Sequence, residues 1–298
     1  MKPRDLAELL LLSAIWGGSY LFMRVGAPEF GPVALIGVRV AVGALCLAPV
    51  LHRAGQWGVL RRRAGALAVM GLLNAAIPFV LIAWAMLSLT AGLASIVNAS
   101  MPIFTALIAV LWLGDRLDAS RSAGLLIGLM GVGLLGAERA DFRPGGSGWA
   151  LLAMLAAAAC YGLAANLTRR FLADVPAVVS AFATQLTSAL VLALPAVWLW
   201  PVTSPSVAAW GSVIALGVLC SALAYVMYFR LIGRIGASRA VTVTFLTPAF
   251  GVAWGALLLS ESLTVLGVLG AAVILLGTAC ATGLIRLPIP LTLSSRRR

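Results

Sequence analysis

Charge, acidic residues and histidine are all scarce in this sequence. The 298 residues include nine Asp and Glu and a single histidine, His52, and only 10% are charged. A catalytic site needs a nucleophile with its base, or a cluster of metal ligands. With His52 in a basic loop and no acid pair at one depth, a membrane-embedded enzyme is the remotest reading. The four cysteines, Cys46, Cys160, Cys220 and Cys280, lie far apart inside apolar stretches and form no CxxC pair. They read as small buried hydrophobes, which excludes a cysteine zinc site. No cofactor and no metal are expected. The longest polar stretch runs only from about Glu138 to Gly148, so no water-soluble domain is left over.

What fills the chain instead is apolar. Hydrophobic residues make up 62% of it, and the mean hydropathy is +1.07. A soluble domain needs far more polar residues to cover its surface. A helix crossing the hydrocarbon needs roughly 20 apolar residues, and runs of that length recur. They predict ten spans, over 6–23, 32–51, 65–87, 91–113, 121–137, 148–168, 177–200, 208–229, 237–259 and 263–285. Barrel strands are excluded, because they would be about ten residues long and alternate in polarity. Lys2 and Arg4 precede the first run as in a leader peptide. No small-residue cleavage site follows, and Trp16, Tyr20 and Phe22 continue the run, so it is expected to be a permanent helix.

The formal charge of +12 does not imply nucleic acid, because the basic residues sit in short loops between apolar runs. With ten spans and the N-terminus in the cytoplasm, 17 basic residues fall on the cytoplasmic side. Arg24, Arg139 and Arg143 fall outside, and Arg39 stays within the membrane. That asymmetry is the positive-inside pattern, and it predicts that both termini are cytoplasmic.

The second half repeats the first at an offset of 146 residues. Pro49 falls on Pro195, Gly71 on Gly217, Ala91 on Ala237, Pro102 on Pro248, and Asp115 on Glu261. Leu117, Gly124 and Gly131 fall on Leu263, Gly270 and Gly277. Offset by 145, Trp16-Gly17 falls on Tyr161-Gly162. Leucines coincide by chance in apolar sequences, but shared prolines, glycines and an acid do not readily do so. Five helices per half is an odd number, so the second half enters the membrane from the opposite side. The expected fold is therefore an all-α polytopic membrane protein with two inverted five-helix repeats. This is a common plan for secondary transporters, because two similar halves can exchange conformations. The expected divisions are 1–140 for the first repeat, 147–286 for the second, and 287–298 for a basic cytoplasmic tail.

On these residues the halves resemble two EamA domains of the drug/metabolite transporter superfamily. The resemblance rests on the aromatic-glycine pairs Trp16-Gly17 and Tyr161-Gly162 and on the intrahelical prolines Pro102 and Pro248. The helix-end segments Leu113–Leu117 and Leu259–Leu263 and the glycine-rich spans after them complete it. It covers nearly the whole chain; the second half departs from the pattern, with Ser260 where the first has Gly114. The resemblance implies ten helices, a central cavity and metabolite export. Amino acids, nucleosides, drugs and sugar phosphates all occur as substrates in this superfamily. A weaker similarity is to its aromatic amino-acid exporter branch.

Pro102 and Pro248 each remove a helix hydrogen bond at corresponding positions near mid-membrane. Paired interruptions of this kind point to a transporter site, and the two prolines are the expected hinges. Trp16, Tyr20, Asn74, Phe79, Asn98, Met101, Tyr161, Asn166, Tyr225 and Thr244 are the expected substrate-binding residues. The polar ones serve equally well as interhelical hydrogen-bonding groups. Trp57, Trp112, Trp198, Trp200 and Trp210 sit near span ends, as an interfacial belt requires. Arg39 is costly within a span, by roughly 2.5–3.5 kcal/mol on insertion scales. Its compensation is either a substrate carboxylate or protein carbonyls and a helix end, the latter being favoured. Gly124/Gly128 and Gly251/Gly255 have GxxxG spacing, for contacts within one chain or between chains. No acid lies at mid-depth, which leaves proton coupling and facilitated export both open.

The expected function is export of small, largely neutral metabolites, first of all aromatic or hydrophobic amino acids, by alternating access around a central cavity. An aromatic- and amide-rich interior with little fixed charge favours them, since a sugar phosphate calls for several basic groups. Efflux of nucleosides or drugs is the alternative. A monomer in the inner (plasma) membrane is expected, with the lipid bilayer and a small-molecule substrate as its only partners and no nucleic acid.

Overall fold

The structure, a computed structural model, describes residues 2–115, 117–138, 141–143 and 146–285. Arg116, Arg139 and the basic tail over 287–298 lie outside the described residues. Every regular element among the described residues is helical. Eight helices are long and apolar enough to cross a membrane, and two shorter apolar ones, Val243–Leu259 and Val265–Ala281, complete ten spans.

The first span is α1 (Pro3–Phe30) and the second α2 (Pro32–Arg53). α1 runs seven residues past the expected end at 23. It stops only where Gly31 takes φ +72° and Pro32 starts the next helix at its first position. A short amphipathic α3 (Trp57–Arg62) precedes the third span, which is α4 (Ala64–Gly71), a π-helical segment Leu72–Ala76 and α5 (Ile77–Ala85). The fourth span is α6 (Ala91–Asn98) and α7 (Met101–Leu113), followed by α8 (Ala119–Glu138). The second half comprises α9 (Ser147–Phe171) and α10 (Ala177–Trp198). Its third span is α11 (Val207–Ala215), a π-helical segment Leu216–Leu223 and α12 (Ala224–Ile235). α13 (Ala237–Ala240), α14 (Val243–Leu259) and α15 (Val265–Ala281) close the chain.

The inverted repeat is visible in the packing. A Cβ on Gly17 of α1 would meet the Phe250 side chain at 2.7 Å. A Cβ on Gly162 of α9 would meet Thr105 N at 2.8 Å and the Phe104 backbone at 2.9 Å. Phe250 and Phe104 are themselves 146 positions apart. Thus α1 lies on α14 as α9 lies on α7, each through a glycine that lets two backbones approach. The remaining long pairs join equivalent spans of the two halves: α2 with α10, and α8 with α15. In the second pair Gly131 lies against Ile274, and Gly124 against Cys280. Gly128 faces Gly277, Gly251 faces Ser95, and Gly255 faces Glu261. Both GxxxG pairs therefore make their contacts within one chain.

Basic side chains gather at the end of the bundle that carries the N-terminus, here the basic end. Three arginines there make ion pairs that cross between the halves. Arg63 pairs with Asp174 at 2.5 Å and Arg169 with Asp115 at 2.8 Å. Arg234 pairs with Asp5 at 3.2 Å and with Glu8. Arg24 lies at the opposite, far end, where Phe30, Trp200 and Trp210 form an edge-to-face cluster. Trp198 is 89% exposed at the end of α10, where the interfacial belt would run.

The cysteines do not all sit in the core. Cys220 and Cys280 are buried, but Cys160 is half-buried and Cys46 exposed. In a bilayer the outer surface of a bundle is as apolar as its interior, so an apolar neighbourhood does not mark an inward face.

Candidate functional site

A cavity of about 330 Å³ lies between the two halves. That is within the usual range of small-molecule pockets, roughly 300–1,000 Å³. α1 contributes Trp16, Ser19, Tyr20 and Met23, a run spaced three and four apart that puts one face of the helix on the cavity. Arg39 enters from α2. Phe79 and Ile82 enter from α5, and Ser95, Asn98, Met101 and Pro102 from the fourth span. Tyr161, Tyr225, Tyr228, Thr244, Thr247 and Pro248 enter from the second half.

Of the ten expected substrate-binding residues, nine line this cavity, as do Arg39, Pro102 and Pro248. Asn166 is the exception. Its Nδ2 donates at 2.9 Å to the Thr105 carbonyl, which stitches α9 to α7 outside the cavity lining, and at 2.9 Å to the Gly162 carbonyl of its own helix. Ser19, Met23 and Cys220 line the cavity without having been singled out. The spacing of 16, 19, 20 and 23 on one helix was the available signal for the first two. Cys220 had none beyond its offset of 146 from Asn74.

That offset matters because of the two π-helical segments. Leu72–Ala76 moved by 146 positions falls inside Leu216–Leu223. Each segment brings one residue to the cavity, Asn74 from the first and Cys220 from the second. A π turn widens the helix and leaves backbone groups poorly paired, and such turns recur at functional sites. The Asn74 amide reaches across to the Tyr225 hydroxyl at 3.5 Å.

The two prolines are not equivalent in their local structure. Pro102 follows a break at Ala99–Ser100 and occupies the first turn of α7, where its missing N–H costs nothing. Pro248 sits inside an unbroken α14, and the ninth span is interrupted earlier, at Val241–Thr242.

The walls are aromatic. Trp16 and Tyr228 stand with ring centroids 5.2 Å apart, and Phe79 and Tyr161 are 6.5 Å apart. The Arg39 guanidinium lies over the Phe79 ring at 3.8 Å, a cation–π contact. Its Nε donates to Ser221 Oγ at 3.2 Å and its Nη1 points at Met23 Sδ at 3.7 Å. Arg39 is 3% exposed, and no Asp or Glu is among the lining residues. Among the described residues no carbonyl accepts from it; neutral side chains and a ring surround it. Asn98 leaves its Oδ1 buried and without a hydrogen-bond partner. Among the described residues no group of three or more His, Cys, Asp or Glu side chains is placed to hold a metal ion.

Contacts between the two halves cross the far end of the bundle. There α14 packs on α6, the outer half of the fourth span, much more than on α7. Ser95 Oγ reaches the Pro248 carbonyl at 3.4 Å. Glu261 accepts the Ala91 and Gly92 N–H groups at 2.9 and 3.4 Å, capping α6 from the opposite half. Arg24 stands 3.8 Å from the same carboxylate and donates to the Met86 carbonyl.

A polytopic helical bundle whose two inverted halves enclose one central cavity defines a membrane transporter. The chain belongs to the EamA-like transporter family, which matches it twice, over residues 6–137 and 148–283. It is similar to a probable terminal-alkyne amino-acid exporter of Streptantibioticus cattleyicolor, 28% identical over 244 residues and covering 80% of both chains. A probable amino-acid metabolite efflux pump of Escherichia coli is 26% identical over 291 residues, covering 93% of this chain and 94% of that one. An uncharacterized inner membrane transporter of Escherichia coli, YedA, is 27% identical over 277 residues, covering 90% and 88%. A crystal structure with 23% sequence identity shares the fold at a TM-score of 0.66, over 95% of this chain and 99% of that chain.

Proposed function

We propose that this protein exports small, largely neutral metabolites, first of all amino acids with aromatic or other hydrophobic side chains. It does so from the cytoplasm across the inner (plasma) membrane, by alternating access around the cavity described above. The single observation that carries this reading is an aromatic-walled cavity, shared by both repeats, whose lining contains amides, hydroxyls and one cation but no carboxylate. Aromatic walls favour flat or apolar side chains. The names of two relatives to which the chain is similar, a probable amino-acid exporter and a probable amino-acid metabolite efflux pump, support it. The bonds that cross between the halves at the far end support entry of substrate from the basic, cytoplasmic end.

Efflux of nucleosides or drugs is the second reading. Nucleoside bases would stack on the same rings. A cationic drug is disfavoured, because Arg39 repels it and no lining acid attracts it.

Counterflow in proteoliposomes, with labelled amino acids, nucleosides and quaternary amines, tests the proposal. Phenylalanine, tryptophan or leucine should exchange well above empty vesicles. Exchange of nucleosides or amines with no amino-acid exchange would transfer the function to the second reading.

A further inference from the structure

The cavity holds two polar groups that the protein leaves unanswered. The Arg39 guanidinium makes no ion pair among the described residues, and its Nη2 makes no hydrogen bond there. A buried cation is costly unless an anion meets it, and a cation–π contact and one hydroxyl compensate it only in part. Asn98 Oδ1 is the complementary case, an acceptor without a donor. Both groups line the same cavity, together with Tyr20. The rings of Trp16, Phe79 and Tyr161 line it as well.

We propose that Arg39 and Asn98 together recognise a zwitterion. Arg39 takes the α-carboxylate through its free guanidinium edge, and Asn98 Oδ1 accepts from the α-ammonium. The aromatic wall takes the side chain. This rests on the export of amino acids proposed above and deepens it, since it assigns the recognition of the amino-acid backbone to two residues. It also accounts for a cavity that carries one positive charge and yet takes net-neutral cargo. The ligand's carboxylate meets the guanidinium locally while its ammonium lies at Asn98, so the net charge of the cavity is unchanged by binding.

Competition against labelled phenylalanine in proteoliposomes tests it, with three competitors: phenylalanine, 2-phenylethylamine without the carboxylate, and 3-phenylpropanoate without the ammonium. The wild-type protein should prefer phenylalanine over both by about tenfold or more. Arg39→Gln should lose the preference over 2-phenylethylamine and keep that over 3-phenylpropanoate. Asn98→Ala should do the reverse. Should Arg39→Gln fail to fold, Arg39→Lys keeps the charge without the planar fork. It should weaken phenylalanine several-fold and leave 2-phenylethylamine unchanged. Variants that transport phenylalanine with unaltered preferences overturn the assignment while leaving amino-acid export intact. A wild-type protein that exchanges no amino acid overturns the export reading itself.

The far end carries a second, independent inference. Glu261 accepts from the Ala91 and Gly92 backbone of the opposite half with Arg24 beside it, and at the same end Glu29 accepts from the Ser206 N–H. The equivalent of Glu261 at the basic end, Asp115, holds Arg169, which is the equivalent of Arg24 at the 145 offset. We infer that Glu261 is the latch that keeps the far end shut, and that opening outward requires those three bonds to break. Thr244 lines the cavity, and a thiol there reports access to it. The probe is T244C in a chain whose four cysteines are replaced by alanine, labelled by a membrane-impermeant maleimide from the far side. Glu261→Gln should raise the labelling rate several-fold, and Asp115→Asn should not. If Glu261→Gln does not insert, Arg24→Gln should act in the same direction. Equal labelling in the latch variant and its parent discards the latch.

Discussion

Individual side chains fall into two groups, those that face the cavity and those that tie helices together. Trp16 and Tyr161 occupy corresponding positions of the two repeats and both face the cavity. Replacing either by alanine removes a wall, and amino-acid exchange should fall about tenfold or more while membrane insertion persists. Unchanged flux in both variants would remove the aromatic-wall assignment. Asn166 belongs to the second group. Asn166→Ala should lower the melting temperature in detergent and leave competitor preferences alone, because it loses one interhelical and one intrahelical bond and no cavity contact. The two carboxylates in loops at the basic end give a pH signature. The Arg169 guanidinium holds Asp115 below the usual carboxylate range, and Arg63 does the same for Asp174. A depressed pKa means that the stabilisation is complete above the unfolded value, about 4. It disappears as pH falls through the folded value. Melting should therefore be insensitive to these pairs at neutral pH and weaken in acid, by a small amount because both acids are exposed. The double variant Asp115→Asn with Asp174→Asn should flatten that acid limb.

Helix ends and helix defects carry the next level. Gly114 ends α7 at φ +70° and Ser260 ends α14 at φ +54°, so both repeats use a left-handed residue at the same place. Ser260 is the only non-glycine residue with positive φ among the described residues. A left-handed L-residue costs roughly 1–2 kcal/mol, so Ser260→Gly should stabilise the protein by about 1 kcal/mol, read as a higher melting temperature. No gain would mean that the serine is compensated in a way the local backbone does not reveal. The π-helical segments are the other feature of this level. Deleting one residue from Leu72–Ala76 should restore an α-helix, turn Asn74 off the cavity and abolish exchange. These segments were not legible in the sequence, because a π turn differs from an α turn by one hydrogen-bond register and not by composition. The ends of the helices were better marked, since Gly31 with Pro32 and the glycine at 114 announce where a helix must stop.

The molecule as a whole is two five-helix halves laid against each other with opposite polarity. Ion pairs join the halves at the basic end, and the Glu261 cap joins them at the far end. Reporter fusions at the Arg61–Arg63 turn and at the turn over 172–176 should therefore fall on one side of the membrane. Opposite sides would dissolve the inverted arrangement and the alternating-access reading with it.

The sequence alone determined the membrane class, the number of spans and the polarity of the repeat. Each is a property of runs, counts and offsets along the chain: twenty apolar residues, arginines by loop, and prolines and glycines at one spacing. It also marked most of the cavity, because polar and aromatic groups are rare enough in an apolar interior to be conspicuous. The tertiary structure decided what depends on neighbours distant in sequence. Arg39 has Phe79 and Ser221 beside it and no carboxylate, whereas Asn166 has two carbonyls. Nothing in the order of the residues distinguishes a buried amide that meets a helix from one that meets an empty cavity. That difference arises only when ten helices pack and leave some polar groups satisfied and others on a cavity wall without a partner.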